Sequence, residues 1–135
     1  LYKPFYKEIN DWVHKNTTWK TFYHTCGGIY DLLDDFAEMG LDCLNPLQLS
    51  ADGMDMYKIK EPYGDKFTFR GGGVDTQRVL PFGTPEQVRE QVRERVDVLG
   101  KDGGFVVKTI HNIVANVPPE NIIAMFEEVT GKKLR

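Results

Sequence analysis

Apolar positions along the 135 residues recur with two different periods, and these predict alternating helices and strands. The first segment carries Phe5, Ile9, Trp12 and Val13, largely at intervals of three and four residues, which places them on one face of a helix over residues 1–15. Residues 19–25, which follow, are rich in aromatic and β-branched side chains and predict a strand.

The same alternation continues to the end of the chain. The pattern predicts strands over residues 41–47, 66–70 and 104–110, and helices over 29–39, 50–60, from 85 to a stop at Gly100, and from 116–120 to Gly131. The sharpest local signal is a capping box, in which Thr84 and Gln87 flank Pro85 at the first helical position.

The helix that follows Thr84 is predicted to have two distinct faces. One is an apolar stripe and the other is charged, and we expect the charged face to be solvated. The stripe consists of Val88, Val92, Val96 and Leu99, and the charged face of Arg89, Glu90, Arg93, Glu94 and Arg95.

Strands that alternate with helices predict an α/β fold with a parallel sheet and right-handed crossovers. An initial helix over residues 1–16 and four βα units over 17–135 allow two architectures: a small open doubly wound sheet, or half of a (β/α)8 barrel of about 250 residues. Because the chain starts at Leu1 rather than Met, we expect residues 1–135 to be a single fragment of a longer protein.

Composition narrows the function classes. With 41% hydrophobic and 27% charged residues the chain is expected to be globular, and a net charge of −3 argues against a nucleic-acid partner. No apolar run approaches the roughly 20 residues that span a membrane. Two cysteines, Cys26 and Cys43, cannot staple a small secreted scaffold, so we expect a reduced, cytoplasmic protein in which Cys43 belongs to the core.

In either architecture, ligands bind at the carboxyl ends of the strands. His24 and Cys26 stand two residues apart at the end of the first strand, so both side chains point to one face and form a candidate pair of zinc ligands. A half-buried histidine and a core cysteine are the structural alternative. His111 ends the last strand as a candidate third ligand, general acid or substrate donor, or as a structural histidine.

The other strand ends supply candidate substrate contacts. Gly72 and Gly73 belong to a run of three glycines that lacks the nucleotide-binding spacing, and they predict a close approach between the backbone and a bulky ligand. Asp75 follows them as a candidate catalytic residue that could orient a neighbour or accept a hydrogen bond, and Gln48 and Asn112 are further candidate substrate-binding residues.

Taken together and in order, these strand-end motifs resemble the uroporphyrinogen decarboxylase superfamily, whose members are (β/α)8 barrels. The resemblance implies that the chain is the C-terminal half of the barrel, with strands five to eight. It rests on His24-Thr25-Cys26-Gly27, Gly72-Gly73-Val74-Asp75-Thr76-Gln77, Gly83-Thr84-Pro85-Glu86-Gln87-Val88, and His111-Asn112-Ile113 followed by Val117-Pro118-Pro119-Glu120-Asn121-Ile122.

The superfamily implies two chemistries. One branch decarboxylates the acetate side chains of uroporphyrinogen without metal or cofactor. The other consists of zinc methyltransferases that move a methyl group between a corrinoid protein and a thiol or folate. In the zinc branch a His-x-Cys motif provides two ligands, which match His24 and Cys26, and a third ligand, usually Cys, falls on His111. Decarboxylases carry a substrate-contacting His at that same position.

Charge favours the methyltransferase branch. A tetrapyrrole with eight carboxylates needs cations around it, and only Arg70 and Arg78 lie near the strand ends. We therefore expect a zinc methyltransferase with a corrinoid protein or small-molecule partner, and a cofactor-free decarboxylase as the alternative. A third possibility is a catalytically incompetent half barrel, whose open edges would make the fragment self-associate.

Overall fold

The structure is a computed structural model that describes residues 1–134, so Arg135, the last residue of the predicted 1–135 unit, lies outside the described residues. The helices are α1 (Lys3–Asn16), α2 (Leu33–Glu38), α3 (Met56–Tyr63), α4 (Val79–Phe82), α5 (Pro85–Leu99) and α6 (Pro119–Thr130), and a 3-10 turn (Tyr30–Leu32) precedes α2. The strands are β1 (Phe22–His24), β2 (Cys43–Asn45), β3 (Thr68–Arg70) and β4 (Phe105–Val106).

The four strands form one parallel sheet in the order β1-β2-β3-β4. A doubly wound sheet reverses its strand order at a switch point, and this sheet does not, so that alternative is excluded. Sequential parallel strands with intervening helices confirm the predicted α/β class and are consistent with part of a TIM barrel.

The apolar core that packs against the sheet lies on only one of its faces. Leu44 of β2 and Phe69 of β3 are fully buried against Leu33 of α2, Ile59 of α3 and Leu99 of α5. Side chains alternate along a strand, so the neighbours of these residues point to the opposite face, which no helix covers within the described chain. That opposite face, the inner face below, exposes Phe22, His24, Arg70 and Val106.

Several element bounds differ from the predicted ones. The strands are only two or three residues long. The helix expected over 50–60 begins instead at Met56, because Gly53 turns the chain with a φ of 73° and the Asp55 carboxylate caps the helix by accepting from the Tyr57 amide. Helix α4 was not predicted, since four residues that include Pro81 carry no helical period. The Thr84–Gln87 capping box is confirmed.

The apolar stripes of the first and last helices are exposed. Phe5, Ile9 and Trp12 of α1 retain 64%, 57% and 62% of their accessible surface, and the buried residue of α1 is Asn10, whose amide donates to the Met39 carbonyl. Helix α6 likewise exposes Ile123, Phe126 and Val129. Along the chain α1 precedes β1 and α6 follows β4, the two edge strands, and both helices leave apolar side chains exposed.

The charged face of α5 is not simply solvated. Arg89 donates to Glu127 at 2.7 Å and Arg93 to Glu128 at 2.9 Å, so both arginines tie α5 to α6.

Cys43, predicted to be core, is only half-buried because it lies on the inner face. Within residues 1–134 the helices are all too short or too polar to cross a membrane.

Asp42 joins three elements at the end of the sheet where the strands begin. Its carboxylate accepts from the Thr21 amide at 2.7 Å, from His14 Nε2 at 2.6 Å and from Lys20 Nζ at 3.1 Å. Burial raises the pKa of this carboxyl, but the hydrogen bonds from Thr21, His14 and Lys20 outweigh it and lower the pKa to about 2. Ionised Asp42 therefore holds α1 and β1 against β2.

We predict that Asp42→Asn destabilises the protein at pH 7 by about 1 kcal/mol, since the partly exposed interactions are screened by solvent. The pKa of Asp42 is lower in the folded than in the unfolded chain, so its contribution is present above about pH 4 and lost as the pH falls towards 2. Urea unfolding at a series of pH values should show that the free energies of unfolding of wild type and Asp42→Asn become equal in acid. Asp97→Asn, at an exposed site on α5, is the control, and a pH-independent difference for Asp42→Asn would contradict the assignment.

Candidate functional site

A cleft of about 330 Å³ lies at the carboxyl ends of the strands. Cys26, Gln48, His111 and Asn112 line it, so the structure brings together predicted site residues from three of the four strand ends. Thr76 and Gln77 line the same cleft from the loop after β3. The volume is at the small end of the range for ligand sites.

His24 and Cys26 lie next to each other, as their spacing predicted. His24 Nε2 is 3.6 Å from Cys26 Sγ. Two ligands on a tetrahedral zinc ion, with Zn–N near 2.0 Å and Zn–S near 2.3 Å, stand about 3.5 Å apart. The pair therefore fits two adjacent positions around one zinc ion.

The structure does not complete a three-ligand metal site. Among residues 1–134 no three His, Cys, Asp or Glu side chains cluster closely enough to hold an ion. His111 is exposed and shares the cleft with Cys26, but it does not join the His24–Cys26 pair. Its role as a third ligand or catalytic group remains a prediction.

The loop that carries Cys26 is fixed by β2 and the segment after it. The Thr25 amide donates to the Asn45 carbonyl and the Gly27 amide donates to Gln48 Oε1, both at 2.8 Å. A Cβ atom on Gly28 would lie 2.5 Å from the Asp52 carbonyl oxygen, so only glycine allows this approach. Gln48, predicted to bind substrate, thus has an observed role in holding the Cys26 loop.

The glycine run after β3 approaches protein rather than open space. Gly72 has a φ of 80°, and a Cβ atom there would lie 2.6 Å from the Leu47 carbonyl oxygen. At Gly73 the same atom would lie 2.7 Å from Val107 Cγ1. The close approach that was predicted towards a bulky ligand is observed towards protein instead, to the segments that follow β2 and β4. Substrate binding by these glycines remains a prediction.

Asp75 is buried and caps the turn that leads to α4. Its carboxylate accepts from the Gln77 amide at 2.8 Å and from the Arg78 amide at 3.1 Å. Its own amide donates to Gln91 Oε1 at 2.7 Å. These contacts give Asp75 a structural role in shaping the cleft, and its predicted catalytic role has no further support in the geometry.

Arg95 was predicted to be on the exposed face of α5 and is instead 6% exposed. Its Nη1 donates to the Gly72 carbonyl at 2.8 Å, which ties α5 to the glycine loop. Burial lowers the pKa of Arg95, and the charge of nearby Asp75 opposes this effect. Val96, predicted for the apolar stripe, is half-exposed. Helical spacing could have shown that Arg95, and not Val96, lies on the buried face, because Arg95 follows Val92 by three residues and precedes Leu99 by four.

Sequence reasoning also missed the contact between Asn45 and His24. The two residues are paired in register on β2 and β1, and Asn45 Nδ2 lies 2.9 Å from His24 Nδ1. Arg70, on the inner face, places its guanidinium 5.5 Å from the Phe22 ring centre. The sequence offered one signal for this contact: Asn45 and His24 end consecutive strands, and neighbouring parallel strands align their carboxyl-terminal residues.

Fold and cleft together define a parallel α/β unit that is consistent with part of a TIM barrel and has its candidate site at the strand ends. The family model described as uroporphyrinogen decarboxylase (URO-D) matches residues 1–131. The chain belongs to the uroporphyrinogen decarboxylase family, which confirms the resemblance drawn from the strand-end motifs.

Two curated relatives are named for the two activities that the resemblance implies, methyl transfer and decarboxylation. A methylated-thiol–coenzyme M methyltransferase of Methanosarcina mazei is 26% identical over 123 residues, which is 91% of this chain and 31% of the relative. A uroporphyrinogen decarboxylase of Psychromonas ingrahamii is 32% identical over 68 residues, which is 50% of this chain and 18% of the relative. The chain spans less than a third of the length of the relatives it matches.

We predict that Arg95→Leu destabilises the protein by about 1–3 kcal/mol, because it leaves the buried Gly72 carbonyl without its donor. Chemical denaturation would measure the loss, and hydrogen exchange should rise in the loop from Gly72 to Asp75. Arg93→Leu, on the same helix but exposed, is the matched control and should have a much smaller effect. Equal effects of the two variants would contradict the structural role of Arg95.

Proposed function

We propose that this chain is the C-terminal half of a (β/α)8 barrel, with strands five to eight, in a zinc-dependent methyltransferase of the uroporphyrinogen decarboxylase family. The enzyme would move a methyl group between a corrinoid protein and a thiol or folate. The observation that carries the proposal is the 3.6 Å separation of His24 Nε2 and Cys26 Sγ. The match to a relative named as a methyltransferase over 91% of the chain supports it.

The donor atoms suit the metal. Thiolate sulfur and imidazole nitrogen are preferred zinc ligands, and Cys26 is a free, exposed cysteine. Cys43, on the inner face, suits a ligand role less well, since burial raises the pKa of its thiol although Arg70 opposes the shift. His24 and Cys26 would hold the zinc ion with a third ligand, for which His111 is our candidate. A free Cys26 thiol also fits the expected reducing cytoplasm.

Zinc supplies one chemical function when bound, which is to stabilise a coordinated substrate thiol as its thiolate. The residues of this chain supply the rest. The cleft beside Cys26 has room for a small thiol, and His111 and Asn112 are exposed in it, where they could donate hydrogen bonds to a polar group of the substrate. Gln48 keeps the Cys26 loop in place.

A decarboxylase acting on tetrapyrrole carboxylates is the second candidate. The relative named uroporphyrinogen decarboxylase, which matches half of this chain, favours it, as does the exposed Arg70 guanidinium on the inner face. Arg70 and the exposed Arg78 are few cations for a substrate with eight carboxylates. The decarboxylase chemistry implied by the family uses no metal, so zinc content distinguishes the two proposals.

We predict about one zinc per chain in the full-length protein, and its loss in the Cys26→Ala variant, because one of two neighbouring ligands disappears. Elemental analysis of purified protein measures both. Cys43→Ala is the matched control and should keep its zinc, since this half-buried thiol lies at the other end of its strand from Asn45.

Two results would count against this assignment. Unchanged metal content in Cys26→Ala would show that the ligands lie elsewhere. A metal-free wild-type protein would favour the decarboxylase, or the third possibility of an incompetent half barrel.

We also expect the isolated 135-residue chain to self-associate, because α1 and α6 present exposed apolar side chains. Light scattering over a range of concentrations should detect a dimer or larger species. The double variant Phe5→Glu, Trp12→Glu should weaken it, whereas Lys58→Glu on α3 adds the same charge without touching the stripe. A wild-type monomer at high concentration would contradict the prediction.

A further inference from the structure

Asn45 is the polar residue most completely enclosed beside the His24–Cys26 pair. It is 2% exposed, and its carbonyl oxygen accepts from the Thr25 amide, which anchors its backbone next to β1. Its carboxamide contacts a single polar side-chain partner within residues 1–134, which is Nδ1 of His24 at 2.9 Å. Its Oδ1 is buried without any hydrogen-bond partner in the same part of the chain.

Because Oδ1 has no partner in the described chain, no second polar group there fixes which end of the Asn45 carboxamide faces the His24 ring. A half turn exchanges the oxygen and the nitrogen of the carboxamide while its shape is kept. An unpartnered buried polar atom is costly, so such a group in a site calls for an explanation. The explanation we find lies in what each orientation does to the ring of His24.

The two orientations select different tautomers of neutral His24. With Nδ2 towards the ring, Asn45 donates to Nδ1, so the ring hydrogen lies on Nε2 and faces Cys26 Sγ. With Oδ1 towards the ring, Asn45 accepts from Nδ1–H, and Nε2 presents a lone pair on the side where Cys26 Sγ lies. Only the second arrangement lets Nε2 and the sulfur bind one metal ion together.

We propose that Asn45 is a positioning residue that sets the tautomer of His24: its carboxamide donates to Nδ1 in the metal-free site and rotates to accept from Nδ1–H when zinc binds. The inference rests on the proposed zinc site and adds to it the residue that orients a ligand. It also gives the unpartnered Oδ1 a role, since that atom becomes the acceptor in the metal-bound state, while Nδ2 moves into the position that has no partner within residues 1–134.

Two variants of Asn45 test the proposal in the full-length protein. Asn45→Asp offers only acceptor oxygens and should keep the affinity for Zn²⁺ or raise it. Asn45→Leu has a similar shape but no acceptor, and should weaken the affinity by about 10- to 100-fold. Competition with a chromophoric chelator measures both values. Asn121→Leu, which removes another buried amide whose partners are the Leu80 and Gly83 carbonyls, controls for a general loss of stability and should bind Zn²⁺ normally.

A second readout does not depend on metal affinity. Nitrogen-15 NMR of the ring should show neutral His24 as the Nε2–H tautomer in metal-free wild type, and as the Nδ1–H tautomer in metal-free Asn45→Asp and in the Zn²⁺-bound protein. If Asn45→Leu fails to fold, this comparison of wild type with Asn45→Asp decides the matter.

The outcomes separate the two proposals. Zinc binding by wild type with an unchanged affinity in Asn45→Leu, or an Nε2–H tautomer in metal-free Asn45→Asp, overturns the role of Asn45 and leaves the zinc site standing. A wild-type protein that binds no Zn²⁺ overturns the proposed function, and the role of Asn45 with it.

Discussion

The one-sided burial of the sheet is the constraint on which the rest of this structure depends. Leu44 and Phe69 direct their side chains into the core beneath the helices, and the alternation of the strands then turns the next side chains to the uncovered inner face. Because the strands are parallel and in sequential order, all their carboxyl ends meet at one edge. The candidate site is the set of loops that leaves this edge, so its position follows from the packing and not from any single motif.

The loops at that edge are held by contacts between their backbones and their neighbours. Gln48 holds Gly27, Arg95 holds Gly72, and the glycines approach adjacent segments so closely that a side chain would collide. Such contacts hold the candidate side chains in place before any ligand binds, which is the preorganisation that a functional site requires. They also explain why glycine, amide and buried arginine residues surround a site whose reactive groups are few.

The proposed zinc chemistry depends on one pair of donor atoms and on the side chain behind it. His24 and Cys26 are a nitrogen–sulfur pair at metal-ligand spacing, and Asn45 lies against the far side of the imidazole. What remains of the site is open: the inner face exposes Phe22 and Arg70, and the apolar stripes of α1 and α6 are uncovered. These features agree with a chain that spans less than a third of its relatives' length.

The sequence by itself determined the features that depend on near neighbours in the chain. Helical and strand periods predicted the alternation of elements, the capping box at Thr84 set the start of α5, and a two-residue spacing paired His24 with Cys26. Only the tertiary structure decided the sequential strand order and which helix faces are covered. It alone buried Arg95 and brought Asn45 against His24, because these contacts join residues about 20 positions apart, where no local period or spacing reports which surfaces meet.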